Sequence, residues 1–114
     1  MSVDELLRST LLDFGDPVEN AVYHGKEKRY YTFNYSSVGD DFADDAPGHE
    51  RYLVQAHFFA PLDENVTARV KATKKALFAA GFTWPETINA SDGDGRHIVF
   101  ECEIAEGVDT DGEV

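Results

Sequence analysis

The feature that most restricts the fold is a two-residue alternation in residues 52–60 with apolar side chains on both sides. Val54 and Phe58 fall on one side, and Leu53 and Phe59 fall on the other. Because successive side chains of a strand point to opposite faces of a sheet, apolar residues on both faces need cover on both. The segment therefore predicts a strand in the centre of a sheet.

Other segments show the alternation of strands. They are residues 18–23, 30–37, 82–90 and 98–104. In residues 30–37, Tyr31, Phe33 and Tyr35 share one face, which other elements must cover. The last two segments flank residues 91–96, which contain two Asp-Gly pairs, and we expect them to form a β-hairpin.

Residues 2–14 have the spacing of an amphipathic helix, with leucines three and four positions apart. Ser2 and Glu5 are spaced as a capping box, in which each side chain accepts a hydrogen bond from the backbone of the other. Gly15 favours the left-handed conformation that ends helices, and Pro17 blocks continuation. These residues predict a short first helix.

A second helix is predicted from Asp63, as its capping residue, to Ala80. Its apolar positions recur at intervals of three and four, and its lysines occupy mostly the outer face. Gly81 stands where a glycine commonly follows the end of a helix.

The elements follow in the order α-β-β-β-α-β-β. This order predicts an α+β fold, in which a mainly antiparallel β-sheet has two α-helices packed on one face. We expect a single domain over residues 1–105 and an acidic, flexible C-terminal tail over residues 106–114. The predicted core consists of Leu7, Leu11, Phe33, Tyr35, Val54, Phe58, Val70, Leu77, Phe82, Ile98, Phe100 and Ile104.

The charge of the chain is strongly negative. Asp and Glu number 22 and Lys and Arg number 10, which gives a formal net charge of -12 at pH 7. Such a charge repels phosphate backbones and anionic headgroups, so neither sequence-independent DNA binding nor a membrane partner is expected. The single Cys and the lack of an apolar run near ~20 residues favour a soluble protein of a cytoplasm-like compartment.

The candidate catalytic and metal sites have simpler interpretations. The Asp-Gly pairs at residues 92–95 resemble part of a calcium loop, but Ala90 stands where the first carboxylate ligand is needed, which favours a plain turn. The four histidines lack the i, i+4 spacing of a helical zinc pair. Cys102 alternates with apolar residues and is expected to pack. We therefore predict no catalytic residue, metal or cofactor.

Residues 38–49 are rich in Gly, Asp and Pro and are predicted to form a long loop. Loops of about a dozen residues are often functional. Phe42 stands there among acidic residues, where it either anchors a partner or folds back as a satellite of the core. The predicted protein-interface residues are Asp40, Asp41, Phe42, Asp44, Asp45 and His49.

Five stretches, in a fixed order, carry a resemblance to a known family. They are Tyr-Tyr-Thr-Phe-Asn-Tyr at residues 30–35 with Phe-Ala-Asp-Asp at 42–45, Arg-Tyr-Leu-Val-Gln at 51–55, and Ala-Ala-Gly-Phe at 79–82 ahead of a closing hairpin with His-Ile-Val-Phe-Glu at 97–101. Over residues 6–103 the chain resembles the tail-completion, or tail-terminator, proteins of long-tailed bacteriophages and prophages.

That resemblance implies a structural virion protein that is not an enzyme. Such proteins assemble as rings, usually hexamers, on the head-proximal end of the tail tube, where they stop its polymerisation and join it to the neck of the head. The implied partners are other copies of the chain, the major tail-tube protein and a head-completion or neck protein. DNA would pass through the ring without specific binding. The implied location is the virion, after assembly in the cytoplasm of the bacterial host.

The acidic segments leave a second function open. Carboxylates spaced like phosphates can occupy the basic groove of a partner. The alternative is therefore an acidic DNA mimic that inhibits a nucleic-acid-binding protein.

Overall fold

The computed structural model describes residues 2–43 and 46–105, and of residues 40–43 and 46–49 it describes the backbone alone. The elements in these ranges are α1 (Val3–Leu12), β1 (Val18–Asn20), β2 (Tyr30–Ala43), β3 (Ala46–Ala60), α2 (Thr67–Ala79), β4 (Glu86–Asn89) and β5 (Arg96–Ala105). Their order is the predicted α-β-β-β-α-β-β, and the α+β fold class is confirmed. Residues 106–114, predicted as a tail, lie outside the described ranges.

The sheet has the strand order β1-β2-β3-β5-β4, so β3 lies at its centre as predicted. β3 pairs antiparallel with both β2 and β5. β4 pairs antiparallel with β5, which confirms the closing hairpin. β1 differs because it runs parallel to β2. The sheet is thus mainly antiparallel with one short parallel strand at its edge.

Both helices cover the same face of the sheet. Tyr31 and Phe33 stand two positions apart on β2 and therefore share a face. On α2, Thr73 lies 2.8 Å from the hydroxyl of Tyr31. On α1, the guanidinium of Arg8 lies over the ring of Phe33 at 5.6 Å from its centroid. We call this helix-covered side the inner face and the opposite side the open face.

The core lies between the helices and the inner face. The predicted core residues that are buried are Leu7, Leu11, Phe33, Val54, Phe58, Leu77, Phe82, Ile98, Phe100 and Ile104. Val70 is only partly buried. The prediction for Tyr35 was wrong, since 37% of this residue is exposed. Tyr35 shares the inner face, but its ring lies at the edge of the core against Phe33 and Tyr52.

Helix α1 begins with the predicted capping box. The Glu5 N–H donates to Ser2 Oγ at 3.1 Å, and the Ser2 N–H donates to Glu5 Oε1 at 2.9 Å. The helix ends at Leu12, and Gly15 has the positive φ, 91°, that only glycine adopts readily. Local sequence therefore determines both ends of α1.

Helix α2 begins later than predicted. Asp63 does not cap it, because the helix begins at Thr67, whose N–H donates to Asn65 Oδ1 at 3.0 Å. Glu64, in the segment predicted as helical, instead accepts two hydrogen bonds from the guanidinium of Arg29, at 3.1 and 2.7 Å. The segment before Thr67 thus forms a turn, in which the Glu64 N–H donates to the Pro61 carbonyl at 3.0 Å, and a tertiary ion pair.

The end of α2 follows the sequence prediction. Gly81 has a φ of 111°, and its N–H donates to the carbonyl of Phe78 at 3.1 Å. The N–H of Phe82 donates to the carbonyl of Leu77, also at 3.1 Å. This pair of bonds is a Schellman motif, which satisfies the last carbonyls of a helix.

The prediction of a loop at residues 38–49 was wrong. β2 continues to Ala43, β3 begins at Ala46, and the two remain paired, with Asp40 opposite His49. Pro47 and Gly48 are compatible with a strand here, because among the described residues β5 pairs with β3 only up to Arg51, which leaves this part of β3 at an edge.

Two strands are shorter than predicted. β1 ends at Asn20, where Ala21 with a φ of 69° turns the chain out of the sheet. Tyr23, predicted in that strand, instead packs against Tyr30 with ring centroids 4.5 Å apart. β4 is confined to Glu86–Asn89, after Pro85.

An ion cluster ties α2 to the rest of the core. Arg69 Nη1 lies 2.7 Å from Asp16 Oδ2. The same guanidinium lies over the rings of Phe14 and Phe58, 5.2 and 5.1 Å from their centroids. The cation is therefore both neutralised and packed on aromatic faces, and the position of α2 on the inner face is fixed.

Candidate functional site

The most extended feature is a hairpin arm, formed by residues 39–43 of β2 and 46–50 of β3. β5 ends at Ala105, opposite Arg51, so in the described part of the chain the arm strands pair only with each other beyond that point. At ~3.4 Å per residue, about five residues on each strand carry the arm about 17 Å past the sheet.

Four of the six predicted interface residues fall on this arm. Asp40, Asp41, Phe42 and His49 lie in its strands. Asp40 stands opposite His49 in the backbone register. Asp44 and Asp45 lie outside the described residues. Strand pairing thus brings together backbone positions that the sequence had placed in a loop.

Both sides of the arm present main-chain edges. β1 pairs with β2 only from Tyr31 to Phe33, so residues 34–43 carry no neighbouring strand on that side within the described ranges. Residues 46–50 of β3 likewise pair with β2 alone. Unpaired N–H and C=O groups at a sheet edge are templates for another strand. The arm can therefore bind a partner through its backbone as well as through its side chains.

A row of stacked rings lies on the open face, at the end of the sheet away from the arm. Tyr30, Phe59 and His97 stand side by side on β2, β3 and β5. The ring centroids of Tyr30 and Phe59 are 4.7 Å apart, and those of Phe59 and His97 are 4.3 Å apart. Tyr23 extends the row beyond Tyr30. The row is a rigid, largely apolar surface with polar atoms at its rim.

His97 of this row shares a hydrogen bond with His57, which lies next to it on the open face. His57 Nδ1 lies 2.8 Å from His97 Nε2. Burial and the charge of His97 lower the pKa of His57. Burial also lowers the pKa of His97, although the nearby carboxylate of Asp92 acts to raise it. Both rings are therefore neutral at pH 7, with one donating to the other. No group of three or more potential metal ligands occurs in the described part of the chain.

The open face becomes acidic towards the arm. Glu86 of β4 stands directly opposite Glu101 of β5, an arrangement that charge repulsion disfavours. Gln55 Nε2 donates to Glu101 Oε2 at 2.8 Å, and Arg51 Nη1 lies 3.5 Å from Glu103 Oε1. Glu86, Gln55, Glu101 and Glu103 line a shallow cavity of about 780 Å³. This end of the face can bind a cationic partner.

A second concavity, of about 700 Å³, lies between α2 and the strands β4 and β5. We call it the basic groove, because three cations and one carboxylate, Asp63, line it; its walls include Val70, Lys71, Lys74, Trp84, Arg96 and Ile98. Trp84, half exposed, contacts the exposed ring of Phe78 edge-on at 5.6 Å. Lys74 Nζ lies 5.9 Å from the centroid of the Trp84 ring.

Helix α2 concentrates positive charge in an acidic protein. It contains Arg69 and three lysines and no acidic residue. Lys71 and Lys75 stand four positions apart, a like-charge spacing that costs a helix ~0.2–0.5 kcal/mol. Among the described residues, no carboxylate forms a salt bridge with Lys71, Lys74 or Lys75. The basic groove therefore combines unneutralised cations with an exposed aromatic pair.

Two motifs weighed in the sequence have structural roles. Cys102 is buried, and burial raises the pKa of its thiol to about 12, so the thiol is protonated and packs as predicted. Residues 91–96 form the predicted tight turn, in which the Asp92 N–H donates to the Gly95 carbonyl at 3.1 Å. A Cβ at Gly95 would lie 2.9 Å from the carbonyl oxygen of Ala60, which explains the glycine there.

Sequence reasoning missed the histidine pair and the basic groove. His97 stands opposite Phe59, two residues from His57, so the pair is evident only once the register of β3 and β5 is known. The sequence did contain a signal for the groove, since α2 lacks acidic residues and the only Trp of the chain follows shortly after it.

No protein-family model matches the chain, and no curated protein matches it. Neither helix of the described part of the chain is long and apolar enough to cross a bilayer.

Proposed function

We propose that the chain is a structural assembly subunit of the tail-completion type. In this proposal it forms a ring that caps the head-proximal end of a phage tail tube, stops its polymerisation and joins the tail to the neck. Its partners are other copies of itself, the tail-tube protein and a neck protein. Its role is contact between subunits and not catalysis.

The hairpin arm is the observation that carries this proposal. A two-stranded ribbon without a further layer is only marginally stable in water. This arm leaves the sheet with unpaired backbone edges on both sides within the described residues. Such an extension exposes an aggregation-prone edge to solvent unless a neighbouring chain completes it. Completion by a neighbouring chain is what a subunit of an assembly provides.

The number of separate surfaces also supports the proposal. A ring subunit needs two different surfaces to contact its two neighbours, and further surface for partners along the ring axis. The arm lies at one end of the sheet, and the open-face cavity and the basic groove, which share Trp84 as a lining residue, are two further surfaces. A net charge of -12 on each copy would also give a ring whose field repels DNA and allows it to pass without adhesion.

Three potentially reactive side chains, His57, His97 and Cys102, are in unreactive states, which fits a structural role. His57 and His97 bind each other as neutral rings, and the Cys102 thiol is buried and protonated. Nucleophilic cysteine chemistry needs an accessible thiolate, which Cys102 does not provide.

The test is tube growth in the presence of the chain. The major tail-tube protein encoded beside it would be polymerised with increasing amounts of the chain, and tube lengths would be measured by electron microscopy. We expect shorter tubes that carry a ring at one end. Tubes of unchanged length and without a cap would contradict the proposal, as would a gene located among metabolic genes instead of portal and tail genes.

The acidic end of the open face favours a second candidate, the DNA mimic. Glu86 and Glu101 stand opposite each other at a cost in repulsion that a cationic partner would remove. A pull-down from host lysate distinguishes the two functions. The DNA mimic should capture a nuclease or DNA-binding protein in a complex that salt dissociates, whereas the tail-completion subunit should capture tail-tube protein.

A further inference from the structure

We propose that the hairpin arm of one copy docks in the basic groove of the next copy, so that subunits join head to tail. This inference rests on the proposed function, because it names the two surfaces through which a ring of this chain would close.

The basic groove has the chemistry of a receptor for an acidic segment with an aromatic anchor. Lys71 and Lys74 line it without a carboxylate partner in the described part of the chain. Trp84 lines it and contacts the exposed ring of Phe78 edge-on. Val70 and Ile98 give it an apolar floor. A ligand with carboxylates for the lysines and an apolar group for the rings would complement this surface.

The arm has the complementary composition. Its sequence from residue 40 to residue 45 reads Asp-Asp-Phe-Ala-Asp-Asp, with four carboxylates around one aromatic residue. Elsewhere the surface of the chain is mostly acidic, and the net charge of -12 disfavours contact between two arbitrary faces of two copies. Contact between copies is favourable where the arm of one meets the cationic helix of the other.

The register places the arm and the groove at opposite ends of the molecule. Phe42 pairs with Pro47 on β3, and Ile98 of the groove pairs with Phe58 on the same strand. From Pro47 to Phe58 the strand advances about eleven residues, or about 37 Å at ~3.4 Å per residue. The arm therefore cannot reach the groove of its own chain.

A contact between two different patches at opposite ends is heterologous. Such contacts repeat from copy to copy and generate a ring when the rotation closes. The arm and the basic groove thus provide the two neighbour-binding surfaces that a ring subunit needs.

Trp84 provides a direct reporter, since it is the only Trp of the chain and lies in the groove. The receptor would be a full-length chain with an inactivated arm, carrying Asp40→Asn, Asp41→Asn, Phe42→Ala, Asp44→Asn and Asp45→Asn. The titrant would be the full-length Trp84→Phe variant, whose arm is intact and which contributes no Trp emission. We expect a saturable blue shift of receptor emission, because the docked arm removes water from Trp84.

Charge reversal in the receptor tests the groove itself. Lys71→Glu with Lys74→Glu should weaken the binding at least about tenfold, whereas the matched change Lys26→Glu, outside the groove, should leave it unchanged. No blue shift, or equal binding by the Lys71→Glu/Lys74→Glu receptor, would overturn the inference. Circular dichroism of each variant verifies that the chain is folded.

The titrant distinguishes the arm from the other acidic segment of the chain. A Trp84→Phe titrant truncated after Ala105 should bind like the intact one, and loss of binding would show that residues 106–114 are the occupant and overturn the inference. Rings of wild-type chain without a Trp84 shift would contradict this inference alone. A Trp84 shift without capping of tail tubes would contradict the proposed function alone.

Discussion

Replacing Thr73 by Val removes the hydroxyl that accepts a hydrogen bond from the buried hydroxyl of Tyr31. Thr73 Oγ1 donates to the carbonyl of Arg69 at 2.7 Å, so its proton is in use and the 2.8 Å contact with Tyr31 is donated by the tyrosine. The two residues are 42 positions apart and join α2 to β2. Their bond therefore reports on the packing of the whole domain.

The two single substitutions should differ in cost. Tyr31→Phe removes a donor and leaves Thr73 bonded to Arg69, which predicts a loss of ~0.5–1.5 kcal/mol in the free energy of unfolding. Thr73→Val leaves the tyrosine hydroxyl buried without its acceptor, which predicts ~1–3 kcal/mol. In the double variant no buried hydroxyl is left without a hydrogen-bond partner. We therefore expect its cost to lie below the sum of the two single costs by at least ~0.5 kcal/mol.

Urea unfolding followed by circular dichroism measures these differences. A loss of 1 kcal/mol corresponds to a fall in Tm of about 4–8 °C for a domain of this size. If the costs of Tyr31→Phe and Thr73→Val add within ~0.3 kcal/mol, the two hydroxyls do not meet and the packing of α2 described above is incorrect.

Three further predictions concern the sheet. Folding lowers the pKa of His57 and His97 below the ordinary 6.5, so the unfolded chain binds more protons in this range and the free energy of unfolding should fall as the pH drops below about 6.5. In a Tm titration this dependence should weaken in His57→Phe, and an unchanged slope would contradict the assignment. Gly95→Ala places a Cβ 2.9 Å from a backbone oxygen, whereas a Cβ at Gly93 meets nothing within 4 Å. Thermal unfolding should therefore show a loss of ~1–3 kcal/mol in the free energy of unfolding for Gly95→Ala and little change for Gly93→Ala. Equal effects would refute this account of the turn. The Cys102 thiol, buried with a pKa of about 12, should react with iodoacetamide only on unfolding, as mass spectrometry can establish; rapid labelling of the native chain would be inconsistent with its burial.

The elements that local sequence determines were predictable. The capping box of α1, the glycine after α2 and the central position of β3 all follow from patterns within a few residues, and the structure confirms them. The start of α2 was not predictable in this way. Glu64, in the segment predicted as helical, instead binds Arg29, which is 35 residues away in the chain.

The candidate surfaces show the same limit. The acidic segment around Phe42 was recognisable as a candidate interface, but its Gly, Pro and Asp residues predicted a loop. Pairing propagated from β2 and β3 overrides those local preferences and makes it an arm. The His57–His97 pair depends on strand register, and the basic groove depends on where α2 packs against β4 and β5. Both therefore require tertiary structure.

The most direct test of the account is the assembly state of a chain without its arm. Gly39 and Glu50 are paired in the β2–β3 register, so an Asn-Gly turn can replace residues 40–49 and close the hairpin at the end of the sheet. Sedimentation velocity would compare this variant with the wild-type chain at equal concentration and salt. The account predicts closed oligomers for the wild type and a monomer with an unchanged Tm for the armless variant. Oligomers of the same size from both chains would contradict assembly through the arm.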